Sequence, residues 1–569
     1  MINNFKSLIF CIALIGSGNG INAQSLNWAK SVDGILFSQV IPYGYALGSD
    51  ESGMCIVGAY WGAVDFDPGP GLAIDTANGN GDIYILKLDM DGNLIWYKTI
   101  GGLFSEDAAT VAINNQGEIF VAGKFSDSVD FDPGPGVFNL IAAATNDSYI
   151  LKLDANGNFQ WVIHYSAQSW QNQSVTSIAV DQAAYVYVSG KFRGTIDFDP
   201  GVGVFNMTST SLSDHYLAKF DAQGNFLDAF FYSTVISQVL PDLSGHLYLI
   251  GSFAYTVDFD PDTTVFNIAA PQNASYIVKL DTAFSLCWAE AIEDTIYIND
   301  VALDGSDHIV TTGQFSDTID FDPGPGVYSL ASSGVNSIYV ARFDTAGNLV
   351  WAKAMGGNSI SVCHGNSIDV DSEGNIYTGG LFDNTVDFDP GLSVFNITDV
   401  DQGDGFLLRL DSSGNFSWAF SIGGSDVDNC WQVKVTPSDK LYGLGVYVDT
   451  VDFDPGVGVY NMFSGNGAAM YINEYNRTPQ TTSINELNQN DVLIYPNPAK
   501  TSFTIFSARP FTDACLTLYN CLGEEVCILK KVNGYQHSFP RNNLPDGIYF
   551  LKIKDQENVT AVKRIVLAH

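Results

Sequence analysis

Positive charge is scarce in this sequence. Its 569 residues include 25 Lys and Arg against 63 Asp and Glu, which gives a formal net charge of -38 at pH 7. Such an excess of negative charge repels nucleic acid and anionic membrane surfaces and attracts cations. We therefore exclude nucleic acid as a partner and consider cations among the ligands.

Long apolar runs are missing beyond the N-terminus. The opening segment MINNFKSLIFCIALIGSGNGINAQ carries one Lys, then a short apolar run, then small and polar residues. This is the pattern of a secretory signal peptide. We predict a signal peptide over residues 1–23, with cleavage after Ala23. No other stretch approaches the ~20 apolar residues that a transmembrane helix needs, so we expect no transmembrane segment.

Cysteine is too rare for a disulfide framework. Seven of the eight cysteines follow the predicted signal peptide, whereas secreted proteins that depend on disulfides are rich in paired cysteines. Cys363 and Cys430 occupy equivalent places in adjacent repeats, and Cys515 and Cys527 flank a predicted hairpin. Either pair could form a bridge, but buried free thiols are the simpler interpretation.

Catalytic motifs are absent as well. The sequence has no GxSxG, HExxH or P-loop pattern. Its histidines are scattered: His164, His215, His246, His308, His364, His537 and His569. Cys363 next to His364 suggests a thiol nucleophile, although packing is the commoner role of such a pair. Trp170, His164 and Arg193 break the repeat and could line a glycan or peptide pocket. The sequence favours a protein that is not an enzyme and leaves an enzyme as the alternative.

The most regular feature is a repeat built on the segment VDFDPGPG. Its first Asp stands at positions 65, 130, 197, 258, 320, 387 and 452, so that successive copies are 65, 67, 61, 62, 67 and 65 residues apart. A period of this length indicates a solenoid or a propeller. Each repeat contains four short alternating segments, which predicts one four-stranded blade per repeat.

The two ends of the array predict a closed ring. The last repeat lacks a fourth strand, and the missing segment matches SLNWAKS near the mature N-terminus, where Leu26 and Trp28 fall on Leu349 and Trp351. A first strand that completes the last blade removes an open sheet edge. We predict an all-β protein in which residues 24–476 form a seven-bladed β-propeller of four-stranded blades.

Two motifs support this architecture by resemblance. YILKLDxxGNLxW and SIDVDSEGNIYTGG, the latter at Ser367–Gly380, resemble the bacterial β-propeller repeat often called SBBP. The resemblance spans the whole array and implies the propeller fold. It implies almost nothing about function, because a fold hosts many functions.

The C-terminal part of the chain has a different composition. Residues 477–490 are polar and predict a linker, and the short alternating strands of residues 491–569 predict a small Ig-like β-sandwich. The segments YPNPAK, LYNCLGEEV, LPDGIYFLKI and KRIVL resemble the type A C-terminal sorting domain of type IX secretion. This resemblance implies the type IX machinery as a partner. It also implies a location outside a Gram-negative cell, reached through the periplasm, with the product released or surface-attached.

The DFDPG loops are the candidate metal sites. Residues i and i+2 of an extended segment point the same way, and Ca²⁺ takes about six to eight oxygens from carboxylates and turn carbonyls. We therefore predict calcium ligands at Asp65, Asp67, Asp130, Asp132, Asp197, Asp199, Asp258, Asp260, Asp320, Asp322, Asp387, Asp389, Asp452 and Asp454. The alternative is that these carboxylates cap backbone amides of a Pro-Gly turn. The two roles can coexist.

These observations predict a secreted or cell-surface binding or adhesion protein, with a rigid acidic face, calcium as structural support, and a protein or polysaccharide as ligand. Since the loops join the second and third strands, all seven are expected on one face of the ring. One alternative is an extracellular propeller enzyme, a polysaccharide lyase or hydrolase, which needs a funnel with non-repeat His, Tyr, Arg and carboxylate residues. Another is a structural surface-layer component, which predicts self-association.

Overall fold

The structure is a computed structural model. It describes residues 24–50, 52–143, 145–165, 173–211, 213–262, 264–293, 295–358, 360–436, 438–456, 458–477, 492–520, 525–541, 544–554 and 560–567. The predicted signal peptide and nearly all of the predicted linker lie outside these residues. One compact unit spans Gln24–Thr478, and a second contains the described residues that follow it. Every regular element in the described ranges is a β-strand.

Four-stranded antiparallel units, here called blades, recur through the first unit, and the described residues contain seven of them. Short strand pairs within the DFDPG loops are assigned below to the blade that carries the loop, and β1 links the last blade and the first into one sheet. Blade 1 contains β1 (Leu26–Asp50), β2 (Gly53–Asp65), β3 (Ile74–Thr76), β4 (Asp82–Leu88) and β5 (Leu94–Ile100). Blade 2 contains β6 (Asp107–Ile113), β7 (Ile119–Phe125), β8 (Ser128–Asp130), β9 (Asn139–Ile141), β10 (Asp147–Leu153) and β11 (Phe159–Tyr165). Blade 3 contains β12 (Ser174–Val180), β13 (Val186–Phe192), β14 (Thr195–Asp197), β15 (Asn206–Thr208), β16 (Asp214–Phe220) and β17 (Phe226–Tyr232).

The remaining blades follow the same order. Blade 4 contains β18 (Val235–Pro241), β19 (Leu247–Asp258), β20 (Asn267–Leu280) and β21 (Leu286–Glu293). Blade 5 contains β22 (Ile296–Leu303), β23 (Ile309–Phe315), β24 (Thr318–Asp320), β25 (Ser329–Ala331), β26 (Ser337–Phe343) and β27 (Leu349–Gly357). Blade 6 contains β28 (Cys363–Val370), β29 (Ile376–Phe382), β30 (Thr385–Asp387), β31 (Asn396–Thr398), β32 (Asp404–Leu410) and β33 (Phe416–Ile422). Blade 7 contains β34 (Asn429–Val435), β35 (Leu441–Asp452), β36 (Asn461–Tyr475) and the start of β1.

The blades close into a ring around their first strands. Each first strand contacts that of the next blade, in the order β1, β6, β12, β18, β22, β28 and β34, and β34 contacts β1. A closed ring leaves no sheet face bare, so strands can be apolar on both sides. The third strands β4 and β10 accordingly are buried along their whole length.

The ring is closed by strand β1, which belongs to two blades. Trp28 of β1 lies opposite Glu474 of β36, just as Trp351 lies opposite Arg342 in blade 5. From Asp33 onward the same strand pairs with β2 of blade 1. The predicted all-β class and the predicted N-terminal strand that completes the last blade are both confirmed.

The C-terminal unit is one connected sheet of five strands around one core. Its strands are β37 (Val492–Tyr495), β38 (Ser502–Asn520), β39 (Glu525–Pro540), β40 (Gly547–Lys554) and β41 (Thr560–Leu567), in the order β37-β38-β40-β41 with β39 paired to β38. The sequence suggested separate strands at TSFTIFS and CLTLYN, but both belong to β38. Irregular pairing with β39 between Phe506 and Ala514 bends this strand. Pro510 lies in this stretch, and proline within sheets is found at such bulges.

Candidate binding face and central channel

The seven DFDPG loops are capped by their own carboxylates. In blade 1, Asp65 Oδ1 accepts the amides of Asp67 at 3.1 Å and Ala73 at 2.8 Å, and Asp67 Oδ1 accepts the amide of Gly69 at 2.8 Å. The same three bonds recur at Asp130 and Asp132, Asp197 and Asp199, Asp258 and Asp260, Asp320 and Asp322, Asp387 and Asp389, and Asp452 and Asp454. They satisfy amides that a turn leaves unpaired, so each loop supports itself.

The second carboxylate of most loops also lies against a glycine. A Cβ on Gly71 would overlap Asp67 Oδ2. The same relation holds at Gly136, Gly203, Gly326 and Gly458 with the second aspartates of their own loops. In blade 4, Thr264 takes this place and its hydroxyl donates to Asp260 Oδ2. The second carboxylate therefore faces the backbone of its own loop.

The phenylalanine between the two aspartates anchors each loop. Phe66 is buried, with its ring 5.1 Å from that of Tyr60 in the second strand and 5.4 Å from that of Tyr84 in the third. Equivalent aromatic trios surround Phe131, Phe198, Phe259, Phe321, Phe388 and Phe453. Aromatic pairs at such separations add stability beyond area burial. The DFD part of the motif thus has a structural role in every blade.

This geometry favours the capping role of the DFDPG aspartates. Both Oδ1 atoms of a loop are occupied by backbone amides, which leaves few carboxylate oxygens for a cation. Within the described residues, no group of three His, Cys, Asp or Glu side chains is arranged to hold a metal ion. Calcium binding by the fourteen aspartates stays a prediction.

Each loop also exposes an aliphatic side chain that the sequence analysis did not single out. These tip residues are Leu72, Val137, Val204, Val265, Val327, Val394 and Val459, and each is 68–80% exposed. They stand seven positions after the first Asp of the motif. An apolar side chain kept in water contributes nothing to the core. We call the seven loops with their tips the DFDPG face.

The loops lie beside the connections between blades, as their place between the second and third strands predicts. At the end of β27 in blade 5, Gly356 and Gly357 pair with Asp387 and Val386 of the blade 6 loop. Between blades 1 and 2, Gly102 approaches the carbonyl of Ser128. The loop of one blade therefore braces the chain that leaves the previous blade.

The centre of the ring is a channel with two cavities of ≈ 440 and ≈ 600 Å³. They are lined by the first strands of blades 2 to 7 and are not symmetric. Asp300, Asp369 and Lys434 line the side of blades 5 to 7, whereas Ala112 and Ala179 line the side of blades 2 and 3. Asp242, Asp304 and Asp307 also belong to the lining, so the charged residues among the described lining residues come from blades 4 to 7.

Asp300, Asp369 and Lys434 all have polar partners from neighbouring blades. Asp300 accepts from Gln238 Nε2 at 2.9 Å and from Ser367 Oγ at 2.8 Å, and it also accepts two backbone amides. Lys434 Nζ lies 2.9 Å from Asp369 Oδ2, and this carboxylate raises the pKa of Lys434. Neither cavity is lined by His, Tyr or Arg among the described residues. These hydrogen bonds and the ion pair connect blades 4 to 7. The alternative that the protein is an enzyme stays untested.

The histidines and cysteines do not converge on a site. His246 and His308 bind Asp242 and Asp304 within their own turns, and burial lowers the pKa of His164, His215 and His364. His537 lies edge-on to Phe539, Arg193 is exposed, and Trp170 and His569 fall outside the described residues. Cys363, Cys430, Cys515 and Cys527 are free thiols. Burial raises the pKa of Cys363 to about 12, the opposite of what a nucleophile needs.

The sequence analysis missed a set of buried acids at the blade junctions. Asp82, Asp147, Asp214 and Asp404 each begin a third strand and are almost fully buried, as are Glu106 and Asp428 in the connections between blades. The signal was the Asp that precedes the apolar runs of DIYILKL, DSYILKL, DHYLAKF and DGFLLRL. Burial of a charge is seldom apparent from sequence, so these acids were not predicted.

Comparison with known proteins identifies the C-terminal unit. Residues 493–568 match the family described as the secretion system C-terminal sorting domain. The protein carries a type IX sorting tail. Such a tail is an export signal, so the protein is secreted or placed on the outer cell surface, and it interacts with the type IX machinery. No helix of the described chain is long and apolar enough to cross a membrane.

Two curated proteins are similar to the chain. An uncharacterised WD repeat-containing protein of Acanthamoeba polyphaga mimivirus is 21% identical over 533 residues, covering 77% of this chain and 37% of the relative. The regulatory protein FlaEY of Caulobacter vibrioides is 26% identical over 151 residues, covering 26% of this chain and 15% of the relative. The chain thus spans about a third or less of the length of these relatives.

Two solved structures resemble the chain loosely. PorZ, a surface component of the type IX secretion system of Porphyromonas gingivalis, is 9% identical with a TM-score of 0.23, covering 93% of this chain and 75% of PorZ. The extracellular domain of the putative one component system BT4673 from B. thetaiotaomicron is 11% identical with a TM-score of 0.14, covering 94% and 91%. Values this low transfer neither a fold nor a function.

Proposed function

We propose that the protein is a binding or adhesion protein of the outer cell surface whose ligand contacts the DFDPG face. The observation that carries the proposal is the exposed aliphatic tip at the same position of all seven loops. Exposed apolar side chains repeated at one position of a soluble protein support an interaction site when they lie on a common face, as these loops are expected to do. Folding does not need these tips, because the buried Phe and the capping Asp already fix each loop.

The chemistry of the face selects the ligand. Each tip lies within a few residues of two aspartates, in a chain with a net charge of -38. Charge complementarity therefore favours a ligand that combines positive charge with apolar side chains, such as a basic and amphipathic protein segment. A neutral polysaccharide would use neither the tips nor the carboxylates strongly, and an acidic polysaccharide would be repelled.

The rigidity of the loops supports this role. Their amides are already capped and their Phe rings are buried, so little conformational entropy is lost when a ligand binds. Seven equal contacts on one ring would also act together, which raises the apparent affinity for a ligand that reaches several of them.

The test measures adhesion of beads coated with the full-length mature protein. The immobilised probes are an amphipathic Lys–Leu peptide, a neutral polysaccharide and an acidic polysaccharide. A tip variant replaces Val137, Val204, Val394 and Val459 by Ser, and a matched control replaces the exposed strand residues Ile95 and Val350 by Ser. We expect retention on the peptide, a loss of at least tenfold in the tip variant, and no change in the control. Retention that the tip variant keeps would place the binding surface elsewhere, and retention on none of the probes would refute the proposed ligand chemistry.

A further inference from the structure

The connection from blade 1 to blade 2, residues 101–106, encloses two buried carboxylates. Asp82 is 1% exposed and Glu106 is fully buried. Asp82 packs against Gly101, where a Cβ would overlap its carboxylate. The amide of Glu106 donates to the carbonyl of Gly81 at 2.9 Å, which ties the two acids together through the backbone.

Each of these carboxylates leaves one oxygen without a hydrogen bond. Asp82 Oδ2 accepts the amide of Asn78 at 3.0 Å, and Glu106 Oε2 accepts the amide of Gly102 at 2.9 Å. Within the described chain, no donor makes a well-aligned hydrogen bond to Asp82 Oδ1 or Glu106 Oε1. The nearby amides of Gly79 and Ser126 still lower the pKa of Asp82 and Glu106, but by less than burial raises it. A buried carboxylate oxygen without a partner is costly, so a proton, a water or a cation is expected there.

The surroundings offer space and an excess of negative charge. A cavity of ≈ 190 Å³ at this junction is lined by Trp61, Glu106, Asp107 and Lys124, among others. Asp107 already pairs with Lys124 at 3.1 Å, so the only cation of this lining is in use. Glu106 therefore has no cation of this lining as a partner, and burial raises its pKa to about 7 and also raises the pKa of the neighbouring Asp82.

Other blade junctions carry different side chains or hydrogen bonds at the positions of these two buried acids. At the positions of Asp82 and Glu106, the junction of blades 5 and 6 carries Ser337 and Ser361, and that of blades 6 and 7 carries Asp404 and Asp428. Asp428 directs one oxygen to the amide of Gly424 at 2.6 Å and the other to the amide of Val448 at 2.9 Å. Asp404 Oδ1 also lacks a partner, so that junction leaves one carboxylate oxygen unpaired, whereas the junction of blades 1 and 2 combines two such oxygens with a cavity.

We propose that this junction binds one hard divalent cation between Glu106 and Asp82, with backbone carbonyls and water as further ligands. Calcium is the natural probe, because it accepts carboxylate and carbonyl oxygens in flexible numbers. The site is separate from the DFDPG loops. The site lies at the connection between the fourth strand of blade 1 and the first strand of blade 2. An extracellular cation bound there would stabilise the contact between the two blades.

Terbium luminescence tests the proposal on the full-length mature protein. Tb³⁺ replaces Ca²⁺ at oxygen sites, and Trp61 on the cavity wall would sensitise its emission. We expect saturable emission that Ca²⁺ displaces, together with a rise in melting temperature when Ca²⁺ is added. Trp61→Phe should remove most of the emission and keep the Ca²⁺-dependent rise.

The decisive variant is Asp82→Ser with Glu106→Ser, which installs the side chains that the junction of blades 5 and 6 already has. It should lose the emission, and calorimetric titration should show one Ca²⁺ site fewer than in the wild type. In EDTA it should melt no lower than the wild type, which shows that it folds. The matched control, Asp404→Ser with Asp428→Ser, should keep both signals. Absence of Ca²⁺ and Tb³⁺ binding in the wild type, or unchanged binding in the Asp82 and Glu106 double variant, would overturn the proposal.

Discussion

The indole of Trp28 lies directly against Gly92, across the seam where the ring closes. A Cβ on Gly92 would be 2.6 Å from Trp28 Cη2, and Gly92 has a positive φ of 70°. The same pair recurs between successive blades as Trp96 with Gly157, Trp161 with Gly224, Trp288 with Gly347, and Trp351 with Gly414. In these five junctions the Trp of the fourth strand packs under the hairpin glycine of the next blade, so the seam is made in the same way as four other junctions.

One junction replaces both members of this pair. Blade 3 has Asp228 where the others have Trp, and the hairpin of blade 4 has Phe284 at the glycine position. Phe284 keeps the positive φ, at 65°, and its ring lies 5.1 Å from that of Phe230. At this junction the packing aromatic ring comes from the hairpin of blade 4 and not from the fourth strand of blade 3. An aromatic side chain therefore still fills the space between blades 3 and 4.

We expect Gly92→Ala to destabilise the closed ring. The new Cβ meets Trp28, and a non-glycine residue at this positive φ costs roughly 1 kcal/mol by itself, so the total loss should be about 2–4 kcal/mol. Thermal unfolding of the mature protein measures it. Gly305→Ala is the control, since a Cβ there meets nothing within 4 Å. Equal melting temperatures for the two variants would contradict the packing role of the pair.

The seam also depends on Glu474, which stands where other third strands carry Lys or Arg. Its carboxylate accepts from Asn27 Nδ2 and Trp28 Nε1, both at 2.9 Å, and from Lys440 Nζ at 3.2 Å. Lys440 in turn reaches the carbonyl of Met90 in blade 1 at 3.3 Å. The last blade therefore carries an acidic side chain, Glu474, on its third strand and a basic one, Lys440, next to its second strand.

We expect Glu474→Ala to cost about 2–3 kcal/mol, because it leaves three half-buried donors without their acceptor. Glu474→Gln keeps one acceptor oxygen and should lose less. Melting temperature and limited proteolysis of the N-terminal strand measure the effect. If alanine and glutamine behave alike, the hydrogen bonds of this carboxylate do not hold the seam.

The DFDPG aspartates distinguish capping from metal binding through paired substitutions. Asparagine keeps the Oδ1 acceptor and removes the charge, whereas alanine removes both. In EDTA, Asp130→Asn should melt within a degree or two of the wild type, and Asp130→Ala should lose about 1 kcal/mol or more, as for other lost caps. Calcium binding by the loops predicts a different result, namely a Ca²⁺-dependent rise in melting temperature that asparagine at all seven first aspartates abolishes.

Much of the architecture could be predicted from the sequence because it depends on local patterns. The repeat spacing, the strand alternation and the match of Trp28 to Trp351 indicated the blades and the seam. The tail resembled the sorting domain in its motifs, but TSFTIFS and CLTLYN were predicted as separate strands, whereas both belong to β38, with Pro510 in an irregular stretch of its pairing. A proline on an edge or a bulge has no signature that separates it from one that ends a strand.

The candidate site was harder to predict, because it depends on contacts between distant segments. The exposed tips look in sequence like any valine next to a strand, and only the ring shows that they are left in water. The burial of Asp404 depends on Gly423, against which its carboxylate packs. Neither residue reveals this alone.

The acids at the junction of blades 6 and 7 predict a pH dependence of stability. Burial raises the pKa of Asp404 to about 7 and that of Asp428 to about 6, from an ordinary 3.8, and the charges of neighbouring aspartates add to this. Between roughly pH 4 and 7 the folded protein therefore binds more protons than the unfolded chain, so the contribution of these groups falls as the pH rises. Above about pH 7 the loss is complete.

Asp404→Ser isolates this contribution, because Ser337 occupies the same position in blade 5. The variant should approach the wild type near pH 3, where Asp404 is protonated in the folded protein and largely protonated in the unfolded chain. It should become the more stable protein near pH 7.5, by a few kcal/mol as a rough conversion of the pKa shift. The difference between the two unfolding curves across the pH series is the measurement, since distant titrating groups contribute equally to both. Asp428, whose charge raises the pKa of Asp404, is the neighbour that the substitution also affects. Parallel curves would mean that the folded state accommodates the Asp404 charge without cost, by a water or an ion that satisfies Oδ1.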